Sequence, residues 1–157
     1  MKRFLAVAVA LAAAAVMLLV LTLGAGASSD KRFVLSWRGS FTGSNTGAGT
    51  FAVGGALSDS GTFDSTFNVG PGKDGCDAVT GGSTYTAPDG GFTEHLAGLS
   101  CSPSPNDPRA TFDGRFQITS GTGAYAGLSG KGTITSLADF TDGTFTGVHD
   151  GTAHFAH

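Results

Sequence analysis

Apart from aspartate, side chains suited to acid–base or metal chemistry are sparse in this chain: one glutamate, four histidines and two cysteines. Glu94 is the single glutamate among 157 residues. Read as part of a strand, it shares parity with Phe92 and Leu96 and, across a hairpin, with Val79 and Tyr85, the face expected to be buried. A carboxyl turned into a small barrel could serve as acid or base on a ligand held there. The alternative is a carboxylate hydrated near the barrel mouth or paired with Arg38, which sits on the wet parity of its own strand and would need a twist or bulge to reach it. His95 has the opposite parity to Glu94 and reads as a surface residue. His149 and His154 are five residues apart and so face opposite sides of a strand, and His157 is terminal, so the histidines do not have the spacing of a metal site. No serine lies in G-x-S-x-G, which leaves a hydrolase triad without support. Trp37, Tyr85, Phe92 and Tyr125 are candidates to line a ligand site together with Glu94. Core packing is the competing role for Trp37 and Tyr85, while Tyr125, beside a glycine-rich loop, is expected to be exposed.

Cys76 and Cys101 form no C-x-x-C pair, and their placement points to a structural bond. Between them lies Ala87-Pro88-Asp89-Gly90, where Pro presets φ and Gly accepts a positive φ. With a two-residue turn at Pro88-Asp89, residues paired across the hairpin sum to 177, and Cys76 and Cys101 sum to 177 as well. Alternation makes them a non-hydrogen-bonded pair, where side chains approach closest. A three-residue loop would shift the register by one and call for a compensating bulge, at Gly81-Gly82.

The elements that would position these groups are strands. Phe33, Leu35, Trp37 and Phe41 share one parity; Phe63 and Phe67 alternate with Thr62, Asp64 and Thr66; Phe112, Phe116 and Ile118 alternate with Thr111, Asp113, Arg115 and Gln117. This period of two means strands with one face buried and one wet. Eight strands are expected, at 33–41, 48–57, 60–69, 76–86, 91–101, 109–119, 131–140 and 143–153. Joined in sequence order, they predict one antiparallel up-and-down β-barrel, an arrangement without exposed edges. The 26 glycines, which follow no Gly-X-Y period, then serve turns, bends and close strand approaches.

Ahead of the barrel, Met1-Lys2-Arg3 is followed by an apolar stretch from Phe4 to Leu23 and by Ala25-Gly26-Ala27, the pattern of a signal peptide over 1–27 cleaved before Ser28. The stretch is long enough to span a bilayer, so an uncleaved membrane anchor is the alternative. The remaining domain, 28–157, is expected to be secreted and free of the membrane once cleaved. Losing Lys2 and Arg3 takes its formal charge from −3 to −5, a balance that argues against nucleic acid as a partner.

The run Phe116-Gln117-Ile118-Thr119-Ser120-Gly121-Thr122-Gly123-Ala124-Tyr125-Ala126-Gly127-Leu128-Ser129-Gly130 is distinctive. It resembles the strand–loop–strand signature of the allene oxide cyclase barrel-like group, which includes dirigent proteins and small exported bacterial proteins. Gly121, Thr122, Gly123, Tyr125 and Gly130 match that signature, while Ser120 and Leu128 depart from it. The resemblance implies an eight-stranded barrel and association into dimers or trimers; the group's pocket residues have no motif here to receive them. The same run satisfies G-x-G-x-x-A, with Asp142 downstream, but Gly127, Gly130 and Gly132 argue against the helix a dinucleotide site needs. The expectation is therefore a secreted, disulfide-linked barrel without cofactor, acting as a binding or interaction module whose interior is filled by Phe or holds one small apolar ligand. The alternatives are a cyclase- or dirigent-like enzyme working in the barrel interior and a structural envelope protein held by its N-terminal segment.

Overall fold

The computed structural model describes residues 29–156, so the signal segment expected over 1–27 lies outside the described residues. Eight strands follow one another: β1 Lys31–Gly43, β2 Thr46–Gly55, β3 Asp59–Pro71, β4 Asp77–Ala87, β5 Gly90–Cys101, β6 Arg109–Gly123, β7 Leu128–Asp139 and β8 Thr144–Phe155. Each pairs antiparallel with its sequence neighbours, and β8 closes back on β1, giving the expected all-β up-and-down barrel. Every strand except the flanks of the closure meets its partner through a short connection, so most pairings are local and only β1–β8 is made across the length of the domain.

The hairpin register is set by its turn. Ala87 pairs with Gly90 and Asp77 with Ser100, both summing to 177, with no irregularity at Gly81-Gly82. Cys76 and Cys101 continue that register, with Cα atoms 4.4 Å apart, and form a disulfide. That spacing matches the narrow, non-hydrogen-bonded pairs of an antiparallel ladder, about 4.5 Å. The bulge lies elsewhere. Thr93 faces Ser120 while Glu94 faces Ile118, which leaves Thr119 as the extra residue of β6. Hydroxyls of Thr119 and Ser120 both hydrogen-bond Thr93 Oγ1 across this bulge, at 2.8 and 2.7 Å.

Alternation sorts the side chains as the sequence implies. Phe33, Leu35, Phe51, Phe63, Tyr85, Phe92, Phe116, Ile118, Ile134 and Phe145 point inward and are buried, while Arg38, Arg115 and His95 stand outside. Each buried aromatic side chain contributes about 1.5–3 kcal/mol relative to exposure, so the lumen is also the core. The two ends of the barrel differ. The end holding the β2–β3, β4–β5 and β6–β7 turns is closed by Tyr125, Leu128 and Phe92 around Phe33. The end holding the β1–β2, β3–β4, β5–β6 and β7–β8 turns is open.

The glycine-rich run lies at the closed end and runs as strand to Gly123, turns over 124–127 and resumes as β7. No helix starts at its glycines. Gly121 has Tyr125 backbone against the face where a Cβ would stand, and Gly123 (φ 59°) and Gly127 (φ 78°) take the left-handed conformation that carries the chain around. The strands on either side therefore extend further into the run than the sequence suggested. The turn folds Tyr125 inward, which corrects its expected exposure: it is 1% exposed, and its hydroxyl donates to Asp59 Oδ2 at 2.7 Å.

Candidate functional site

A cavity of about 450 Å³ enters the barrel from the open end. Its depth can be read strand by strand. Trp37 is the innermost lining residue of β1, Phe63 of β3, Tyr85 of β4, Glu94 of β5, Ile134 of β7 and His149 of β8. These six form the floor. Above them Phe41, Phe67, Phe112, Leu96 and Phe145 make an apolar wall, with Ser65, Ser83 and Ser136 interspersed. At the rim stand Val69 and Phe140, and Phe140 stacks on Phe41 with ring centres 5.5 Å apart.

The polar groups of the floor are joined in one chain. Trp37 Nε1–H donates to His149 Nδ1 at 2.9 Å. An indole nitrogen can only donate, so Nδ1 is the acceptor and the imidazole proton sits on Nε2. His149 Nε2–H in turn donates to Glu94 Oε1 at 3.0 Å, and the Tyr85 hydroxyl donates to the same oxygen at 2.8 Å. Burial pushes the Tyr85 phenol well above its ordinary range, with the neighbouring Glu94 charge adding to the effect and a Ser83 hydrogen bond opposing it. Tyr85 therefore keeps its proton and remains a donor. Glu94 is 2% exposed and His149 1%. Among the described residues, the second carboxyl oxygen, Glu94 Oε2, is buried without a hydrogen-bond partner.

That oxygen sets the site apart from ordinary packing. Buried polar atoms normally find partners, because leaving one unmade costs about 1–3 kcal/mol and more for a charged group. Among the described residues no cation offsets it either. The seven Lys and Arg side chains of the described residues are all exposed, and none lines the cavity. With its proton on Nε2, His149 acts as a neutral donor.

Local geometry explains how so large a ring fits beside His149. Trp37 pairs with Gly147 across the β1–β8 closure, and the indole lies over that glycine, where a Cβ would collide with it. Leu35 pairs with His149 in the same register, which places His149 one inward step from Gly147 and within reach of the indole nitrogen.

The structure places the sequence candidates unevenly. Trp37, Tyr85 and Glu94 converge on the cavity floor. Phe92 lies one layer deeper, stacked on Tyr85 with ring centres 4.5 Å apart, and does not line the cavity. Tyr125 closes the opposite end and does not line it either; its ring packs on Phe92 rather than on a ligand surface. The alternatives considered for Glu94 both fail: it is neither hydrated at the mouth nor paired with Arg38, which is exposed on the outer face. Sequence reasoning missed His149 as its partner. The available signal was parity, since His149 falls on the inward side with Phe145 and Ala153. His154, on the opposite side, hydrogen-bonds Asp30 at 2.9 Å. Among the described residues no group of three His, Cys, Asp or Glu side chains is placed to hold a metal ion, and no helix is long and apolar enough to cross a membrane. The disulfide is consistent with an oxidising compartment.

Compared with known proteins, the chain matches no family model, no curated protein and no solved structure.

Proposed function

We propose that the barrel is an exported binding module that holds one small, mainly apolar ligand in its lumen, polar end inward. The observation that carries this reading is the cavity itself: about 450 Å³, open at one end, mainly apolar along its walls, with a buried hydrogen-bonded cluster around Glu94 at its floor. Small-molecule sites are typically of this kind, concave and apolar with a few convergent polar groups. A barrel whose interior were only a core would be filled by its own side chains, as the closed half of this one is. The disulfide and the apolar segment before Ser28 support export, and the Gly121–Gly130 run supports a place in the allene oxide cyclase barrel-like group, within which self-association as dimers or trimers is the natural expectation.

The test uses Trp37, the only tryptophan of the chain, as a reporter at the cavity floor. Titration with a neutral apolar probe such as diphenylhexatriene should change Trp37 emission saturably at one probe per chain. Uptake with no response from Trp37, or no uptake, would end the reading.

A second reading has one observation in its favour. Glu94 Oε2 is unpartnered while Oε1 is held by two donors, the arrangement of a carboxylate positioned to take a proton from something in the lumen. On this reading the barrel is an isomerase- or cyclase-like enzyme that confines a reactive substrate, with Glu94 as base and Tyr85 and His149 as positioning residues. Turnover that Glu94→Gln abolishes while ligand uptake persists would favour it over binding alone.

A further inference from the structure

We infer that the ligand is an organic cation, an amine whose ammonium group meets Glu94 at the cavity floor while its aromatic or alkyl body occupies the walls. This rests on the binding reading above and adds the sign of the ligand's charge.

Three separate observations agree on that sign. The first is the floor. Tyr85 and His149 both spend their hydrogens on Glu94 Oε1, and Trp37 holds the His149 proton on Nε2, so the charged group at the floor is a carboxylate whose Oε2 is unpartnered, while the donors nearby are the neutral hydroxyls of Ser65, Ser83 and Ser136 in the wall. An ammonium N–H is the complement of that oxygen, and it would supply the positive charge that none of the described residues places near Glu94. A carboxylate or phosphate ligand would instead set two negative charges together in an apolar lumen.

The second is the wall. Trp37 and Phe63 stand in the floor beside the Glu94 cluster, with Phe145 and Phe112 in the wall above, and aromatic faces attract ammonium groups, most when desolvated.

The third is the rim. Asp74, Asp77, Asp107, Asp139 and Asp142 lie in the turns and strand ends around the open mouth, against two cations, Lys73 and Arg109, the latter bonded to Asp107 at 2.9 Å and opposite Asp139. A mouth of one sign concentrates ligands of the other and speeds their approach. The closed end is nearer balance, with Asp30, Asp59, Asp89 and Asp150 against Lys31, Arg32 and Lys131, Arg32 being paired with Asp150 at 3.1 Å.

The test compares three molecules of one shape: 4-phenylbutylamine, 4-phenylbutan-1-ol and 4-phenylbutanoate, each titrated at pH 7 against the folded domain with Trp37 emission and calorimetry as readouts. The amine should bind at least about tenfold more tightly than the alcohol, because it adds an opposite charge where the alcohol brings only a neutral donor to the same carboxylate, and the carboxylate should bind weakest. Glu94→Gln should bring the amine to within about twofold of the alcohol. An alcohol that binds as tightly as the amine, or an amine preference that survives Glu94→Gln, overturns the cation inference while leaving the binding module standing. If none of the three binds and diphenylhexatriene is not taken up, the binding reading falls and the inference falls with it. Should Glu94→Gln not fold, the order of the three ligands on the unmodified protein decides the matter.

Discussion

If Glu94 is kept for a ligand, the empty barrel should be more stable without its charge. Consider Glu94→Gln. The amide oxygen can still accept from Tyr85 and His149, but two charge-assisted hydrogen bonds become neutral ones. The difference between those classes is about 1 kcal/mol each, so the substitution loses about 2 kcal/mol. Against this stands the cost of holding an ion out of water with no countercharge, several kcal/mol even after relaxation, about 4 as a working figure. The amide –NH₂ then takes the place of the bare oxygen at a cavity wall, a smaller desolvation than that of an ion. The net expectation is a gain of about 2 kcal/mol. For a domain of this size each kcal/mol moves the melting temperature by about 3–5 °C, so the variant should melt about 6–10 °C higher. Calorimetry at pH 7 on the ligand-free protein, checked by urea unfolding at equal m-value, measures it. If Glu94 were instead a structural keystone of the tyrosine–histidine cluster, the same substitution would lower stability. A loss of about 1 kcal/mol or more refutes the reasoning, and with it the case for an uncompensated charge at the floor.

Three further outcomes follow from other parts of the barrel. Replacing Cys76 and Cys101 by Ser reopens a loop whose ends are 25 residues apart, which chain entropy puts at about 3.5 kcal/mol of stability, measurable by urea unfolding; a loss under about 1 kcal/mol would mean the β4–β5 register already holds these ends together in the unfolded chain. Trp37→Phe leaves His149 Nδ1 buried without its donor, costing about 1–3 kcal/mol and freeing the imidazole to move its proton; ¹⁵N imidazole shifts should show the Nε2–H form in the unmodified protein, and an Nδ1–H form there would refute the assignment. The Tyr125 hydroxyl, and after it the Ser60 backbone N–H, holds the Asp59 carboxyl below its ordinary value. A lowered folded pKa gives stability that is present above the unfolded value, about 3.9, and lost as pH falls through the folded one. The stability gap between the unmodified protein and Tyr125→Phe should therefore be level from pH 7 to about 4 and narrow below that; a gap independent of pH down to 2.5 would remove Asp59 from the account.

The fold was legible because each strand carries its own evidence of face and each hairpin its own evidence of register. Phe33, Leu35 and Trp37 state which side of β1 is buried, and Pro88-Asp89 fixes β4 against β5 residue by residue, down to the disulfide. What the local pattern could not show was how far a turn reaches. Tyr125 follows two glycines, a setting that points to exposure, yet the left-handed residues Gly123 and Gly127 fold the turn over the barrel end and carry the ring inside. Glycine signals that the chain can turn; it does not say toward which side.

The site was half legible for a related reason. Parity placed Glu94 inside the lumen, and parity alone would have placed His149 there too, beside Phe145. Parity gives a face but no height along the barrel axis. Height passes from strand to strand through hairpin registers, and along β4 and β5 the turn at Pro88-Asp89 supplies it, so Tyr85 and Glu94 could be set on one wall. The β1–β8 closure has no turn. Its register, Leu35 to His149 and Trp37 to Gly147, is settled only when the whole sheet curls and the strands' stagger adds up around the ring. The Trp37–His149–Glu94 chain crosses that seam, since it needs β8 against β1 and both across the lumen from β5. The Thr119 bulge adds a further step between Glu94 and β6 that no turn announces. A polar cluster assembled across the closure of a barrel is therefore the part of such a molecule that sequence conceals most. Interior histidines, tryptophans and carboxyls on the terminal strands of a β-meander are the residues to test together first, because closure alone decides whether they meet.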